Sequence, residues 1–230
     1  MANTAVVYGR EYDGQELTFE PSGGLINASL VMQDRETDSY WSIMTDEAVQ
    51  GARKGEKLKK IYAGKKIMWK DWRQEHPNTL VLSVDGKEDT PFGYSRYFGS
   101  DEGFRGISAK DTRMEDKEPI FTFHLAGAKY AIPFKLVEGG KIINIGDENL
   151  FVFRPVGSAI FYSTVAYKSN TRNFIYEDGL WKIQNTSCIF DRELSAFPED
   201  EKDCSAILEG FDTFWYIWSL TNPDTKVILD

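Results

Sequence analysis

The sequence predicts a mainly β (α+β) fold made of two related β-rich units from an internal duplication, each ending in a short Trp-containing helix and a strand. Short apolar runs alternate with Asp, Asn, Ser and Gly turn chemistry along most of the 230 residues. Residues 61–82 (IYAGKKIMWKDWRQEHPNTLVL) align without gaps to 207–228 (ILEGFDTFWYIWSLTNPDTKVI). The identities are Ile61/Ile207, Gly64/Gly210, Trp69/Trp215, Trp72/Trp218, Pro77/Pro223, Thr79/Thr225 and Val81/Val227. In both copies the two Trp, three apart, share one helix face, and the Pro disfavours a helical residue before it. A fixed internal period of this kind marks repeated architecture. Trp pairs at helical spacing read as core packing.

The elements follow in order. Residues 5–8 (AVVY) read as a strand, and Asp13-Gly14 is a hairpin signal with 17–20 as the return strand. Pro21, Gly23 and Gly24 mark a turn. Asn27 and Ser29 alternate with Ala28 and Leu30, which would place them on one strand face. Leu30–Met32 and the run from Tyr40 flank an Asp/Thr/Ser cluster, so they form two strands joined by a turn. A short helix falls within 65–75, and Leu80, Val81 and Leu82 form a strand. Residues 84–118 have linker composition, with Tyr94, Tyr97, Phe98 and Phe104 pinning them to a surface or closing over a pocket. Beyond them IFTFHL and YAIPF make a hairpin, KIINI and LFVF another, GSAIFYSTV a long strand, and Glu177-Asp178-Gly179 a turn. His124 alternates with Phe121 and Phe123 and reads as a sheet-surface residue. The domain reading is a first, N-terminally incomplete unit at 1–83, the linker at 84–118 and a second unit at 119–230, together one fold.

Composition narrows the function. With 41% hydrophobic and 14% aromatic residues the chain can bury a core, which excludes disorder. A net charge of −9 opposes phosphate backbones and anionic lipid, so neither nucleic acid nor membrane is an expected partner. No apolar run is long enough to span a bilayer. No basic-then-apolar leader is visible, which predicts a cytoplasmic chain as given, or an exported one if it is a trimmed form. Cys188 and Cys204 form no metal-ligand pattern, and a disulfide between them is allowed without being required. Two histidines make no metal centre, and no cofactor motif occurs.

The most distinctive stretch is LTFEPSGGLINASLVMQDRETDSYWS at 17–42. In it Leu17, Phe19, Asn27, Ser29, Leu30, Val31, Met32, Asp34, Arg35, Thr37, Ser39, Trp41 and Ser42 fit a family signature, which His76, Pro77, Thr79, Leu80 and Val81 extend. On these residues the chain resembles domain of unknown function family 3179, a prokaryotic family, over nearly its whole length. The resemblance implies no established activity. It also implies an upstream Cys-Pro-x-Cys-Gly-Thr segment, of which only Thr4 remains, so the chain looks like a short form or a fragment. A fragment would leave sheet edges unpaired, which predicts homo-oligomerisation or an unusual edge strand at 5–8.

Two kinds of function stay open. One is binding of a small polar ligand or a protein partner, with Asn27, Ser29, Trp41, Tyr94 and Tyr97 as ligand-binding candidates. The other is an enzyme of hydrolase or lyase type, with Asp34 as base and Arg35 orienting an anionic or carbonyl group. A purely structural or oligomeric scaffold is a third reading. Turn chemistry and a local ion pair account for Asp34 and Arg35 without any site. The polar set occurs in one unit only, which is where a duplicated fold would specialise.

Overall fold

The computed structural model describes residues 2–62, 66–82, 94–169, 173–198, 204 and 206–230. Among the described residues strand outweighs helix, 40% against 12%, so the fold is mainly β. In the first half, β1 (Val7–Tyr8) is followed by the hairpin β2 (Glu11–Tyr12) and β3 (Gln15–Glu16). Next comes an antiparallel meander of β4 (Phe19–Ile26), β5 (Ser29–Asp34), β6 (Tyr40–Ser42) and β7 (Glu47–Gln50). Strand β8 (Lys60–Tyr62) returns to pair with β1, and α1 (Trp69–Glu75) follows. The connecting region contributes α2 (Ser95–Phe98) and a 3-10 turn at Phe104–Gly106.

The second half opens with the hairpin β9 (Pro119–Leu125) and β10 (Ala128–Pro133), then α3 (Phe134–Val137). Strands β11 (Lys141–Ile145), β12 (Glu148–Phe153) and β13 (Val165–Ser169) form a second antiparallel run. A hairpin of β14 (Phe174–Glu177) and β15 (Leu180–Ile183) precedes β16 (Ala206–Ile207), β17 (Gly210–Phe214), α4 (Trp215–Thr221) and β18 (Lys226–Val227). Two four-stranded sheets result, β17-β9-β10-β18 and β11-β12-β13-β16, with β18 parallel to β10 and the other pairs antiparallel.

Period-2 alternation decides which side chains meet. Phe121, Phe123 and Ile132 of one sheet share a core with Leu150, Val152 and Ala166 of the other. Ile120 and Ala131 face the opposite way, onto α4. Phe151 and Phe153 face away from the first core and join Tyr167, Phe174, Phe190 and Phe197 in an aromatic cluster. A disulfide between Cys188 and Cys204 is part of that cluster, with Cα atoms 5.6 Å apart. It settles the pairing that sequence left open. A closed loop of this size constrains the unfolded chain by about 3 kcal/mol. Reduction is therefore expected to lower stability by about that amount. Urea unfolding with and without a dithiol checks this, and an unchanged midpoint would refute it.

Several segments depart from the sequence reading. The return strand is Gln15–Glu16 instead of 17–20, because Leu17 turns into a small core with Trp41, Ala48 and Leu58. Pro21, Gly23 and Gly24 lie inside β4, where a register shift between Pro21 and Leu25 makes a bulge instead of a turn. Asn27 shares no strand face with Ser29. With Ala28 it forms the two-residue β4–β5 turn, at φ 49° and 61°. Residues 158–164 are not strand. The Arg154 guanidinium donates to the carbonyls of Ala159 and Tyr162 (2.5 and 2.6 Å), so the chain curls around it and β13 begins only at Val165.

The two Trp segments fold alike and are buried unlike. Helices α1 and α4 each span seven residues, and each C-cap N–H bonds the second Trp carbonyl at 2.7 Å. Trp72 Nε1 donates to Thr79 Oγ1 at 2.9 Å, and Trp218 Nε1 to Thr225 Oγ1 at 2.8 Å. Trp215 and Trp218 are wholly buried, whereas Trp69 is about half exposed (48%). Residues 80–82 were expected as a strand. They form none, and Leu80 and Leu82 stand in solvent, while their counterpart β18 pairs with β10. Of the connecting region, 84–93 lie outside the described residues. The rest packs against α4 through a Tyr97–Tyr216 hydroxyl contact (2.8 Å) and a bond from Trp215 Nε1 to the Asp111 carbonyl (2.8 Å).

Candidate functional site

The sequence-selected residues divide between scaffold and surface. Asp34, fully buried, ends β5. Its Oδ2 accepts from Trp41 Nε1 (2.7 Å), and its Oδ1 from Thr37 N and Oγ1 (2.6 and 2.7 Å). Thr37 Oγ1 meets Ser39 Oγ at 2.7 Å, and Ser39 Oγ accepts from Arg53 N at 3.1 Å. Gly51 lets the chain approach there. At φ +99°, a Cβ on it would stand 2.6 Å from the Ser39 Cα. Burial pushes the Asp34 carboxyl up, but the bonds from Trp41 and Thr37 and the nearby Arg53 charge outweigh it, and its pKa is lowered.

Arg35 leaves on the opposite face and pairs with Glu20 at the surface (2.7 Å). Asp34 and Arg35 therefore share no concavity. Trp41 is buried between Tyr12 and Phe19, edge to face with both. Asn27 Nδ2 donates to Thr221 Oγ1 (3.1 Å), tying the first-half hairpin to α4. Ser29 is buried, and its Oγ has no hydrogen-bond partner among the described residues. Tyr94 is exposed. Tyr97 packs on Phe98, Phe104 and Phe214, with Lys117 Nζ 4.0 Å from its ring centre. These seven residues do not converge.

A different set does. Asp212, in β17, is buried. Its Oδ2 accepts from Thr164 N (3.1 Å) and faces Lys66 Nζ at 3.1 Å and Arg154 Nη1 at 3.9 Å. Its Oδ1 is buried with no hydrogen-bond partner among the described residues. Lys66 Nζ also donates to the carbonyls of Asn3 (2.8 Å) and Ile160 (3.4 Å). The Lys66 backbone bonds Ser163 in both directions, N to Oγ at 2.5 Å and O from the Ser163 N at 3.1 Å. Arg154 stands 3.9 Å over the Phe134 ring. Burial pushes the Asp212 carboxyl up, against the pull of Lys66 and Arg154. Burial also lowers the Lys66 ammonium by more than Asp212 restores.

A cavity of about 690 Å³ opens onto this group. Strands β13, β16 and β17 form one side and residues 191–198 another, with Lys66, Ser163 and Asp212 among its lining. Lys66 also lines a cleft of about 610 Å³ beside α1 and one of about 370 Å³ beside residues 2–5. Sequence reasoning missed all of these residues, yet a signal was present. In the gapless alignment of 61–82 with 207–228, Lys66 stands opposite Asp212, a cation opposite an anion. Among the described residues no group of three or more His, Cys, Asp or Glu is placed to hold a metal. No helix there is long and apolar enough to cross a membrane.

The chain belongs to the family described as protein of unknown function (DUF3179), whose model matches residues 1–225. No curated protein and no solved structure matches it.

Proposed function

We propose, for this member of a family without an assigned activity, that the chain is a non-catalytic binding protein that holds a small molecule in the cavity at Lys66 and Asp212. The observation that carries the reading is a ligand-sized cavity of about 690 Å³ with largely apolar walls, lined also by the paired Lys66 and Asp212. Sites of about 300–1,000 Å³ with a few convergent polar groups in apolar walls are typical of small-molecule binding.

The same reading takes the two halves as copies of one ancestral unit. The matched helices, the repeated Trp–Thr bond and the Lys66/Asp212 correspondence support it. The ion pair then joins equivalent positions of the two copies and places the site on their seam. Asp34, Trp41 and Asn27 serve the scaffold that carries it.

The test uses the neutral fluorescent probe N-phenyl-1-naphthylamine. The wild-type chain is expected to bind it saturably at one site. Ala196→Phe, which puts a ring into the cavity wall, is expected to weaken binding roughly tenfold or more with little change in unfolding midpoint. A wild-type chain with no saturable site would sink the reading.

A further inference from the structure

Resting on that cavity reading, we infer that the ligand is an uncharged, hydrocarbon-like molecule, an aliphatic chain or small ring system that carries at most a hydroxyl. The walls favour hydrocarbon. Phe121, Val165, Leu194, Phe197, Leu208 and Phe211 line the space, so a ligand filling it exchanges water for apolar contact over most of its surface. The charged groups of the lining decide against an ion.

Three charged residues line the cavity, Lys66, Asp191 and Asp212, and none is placed to balance a charged ligand. Lys66 has three donors and faces three acceptors, at Asp212, Asn3 and Ile160. The Asp212 side chain is almost wholly buried and spends its charge on Lys66 at 3.1 Å. Asp191 is exposed. Its Oδ1 accepts from the backbone N–H groups of Glu193 and Leu194 (2.8 and 2.9 Å), and water screens the rest of its charge. An ammonium beside such a carboxylate gains a few fold at most. An anion also meets a lining with two carboxylates and one ammonium. Either ion would give up its hydration on entry with no fixed opposite charge to replace it. The hydroxyl-bearing Ser163 and Ser195 supply dipoles only, which suits a neutral hydroxyl.

The experiment displaces N-phenyl-1-naphthylamine from the wild-type chain at pH 7 with three competitors that share one tail: 1-heptanol, heptanoate and heptylammonium. The alcohol is expected to bind roughly tenfold or more tighter than either ion. Across 1-pentanol, 1-heptanol and 1-nonanol, affinity is expected to rise about fourfold per added methylene, the gain for burying each one. If heptanoate or heptylammonium competes as well as heptanol, the ligand class is wrong while the cavity reading survives. The same holds if affinity does not grow along the alcohol series. If the probe itself finds no saturable site, both fall together. Calorimetric titration of 1-heptanol into Ala196→Phe is expected to show binding weakened roughly tenfold or more. An unchanged affinity there would put the alcohol outside the cavity and overturn the inference.

Discussion

Trp218→Ala is expected to lower stability by about 3–5 kcal/mol, and Trp72→Ala by about 1 kcal/mol or less. The two indoles occupy matching helix positions and make the same bond to a Thr seven residues on. Local structure therefore cannot separate them. Burial does. Trp218 is enclosed by the α4 core with Phe211 edge on to it at 5.6 Å, so its removal leaves a cavity and takes away the donor to the buried Thr225 hydroxyl. Trp72 is partly solvated and lies against His76 at 4.0 Å, where water fills the vacated space. Urea unfolding of both variants measures the difference. Equal losses would mean that the helix motif itself, and not its burial, sets the energy.

Asp34→Asn is expected to cost about 2–3 kcal/mol, the range for hydrogen bonds to a charged acceptor. The carboxylate accepts three bonds on its two oxygens, and an amide must present a donor where Thr37 or Trp41 already donates. The acid response follows from the same contacts. The folded pKa lies below the unfolded one, so Asp34 contributes its full stability above the usual carboxylate pKa, about 3.9. That contribution fades as pH falls through this value towards the lower folded pKa. Wild type should therefore lose more stability than Asp34→Asn between pH 5 and pH 3, roughly the span over which an ordinary Asp titrates. Parallel acid profiles for the two would overturn the assignment.

The β character of the chain was legible because alternation and turn chemistry are local. The hairpins at Asp13-Gly14, Ala126-Gly127 and Asp178-Gly179 fall where turn residues interrupt apolar runs. Segments governed by distant partners were not legible. Residues 158–164 carry strand-like residues but curl around the Arg154 guanidinium. Residues 80–82 align with 226–228, sharing the valine, yet pair with no strand among the described residues as β18 does with β10. For the site, Asp34 stands out in the sequence because it sits among turn and aromatic residues, and those same neighbours occupy its oxygens. Lys66 and Asp212 are 146 positions apart and carry no motif, so only tertiary structure brings them together. Their opposed charges at one position of the alignment between 61–82 and 207–228 were the trace left in the sequence.

The order β17-β9-β10-β18 also has a consequence in time. The β9–β10 hairpin is complete at Pro133, but the strands that flank it start only at Gly210 and Lys226. At about 5–20 residues per second, a ribosome leaves both hairpin edges uncovered for several seconds. During that interval Phe121, Phe123 and Ile132 lie on an open ribbon with unpaired backbone on either side. The nascent chain is at its most adhesive then, and the strands Gly210–Phe214 and Lys226–Val227 are the ones that end it.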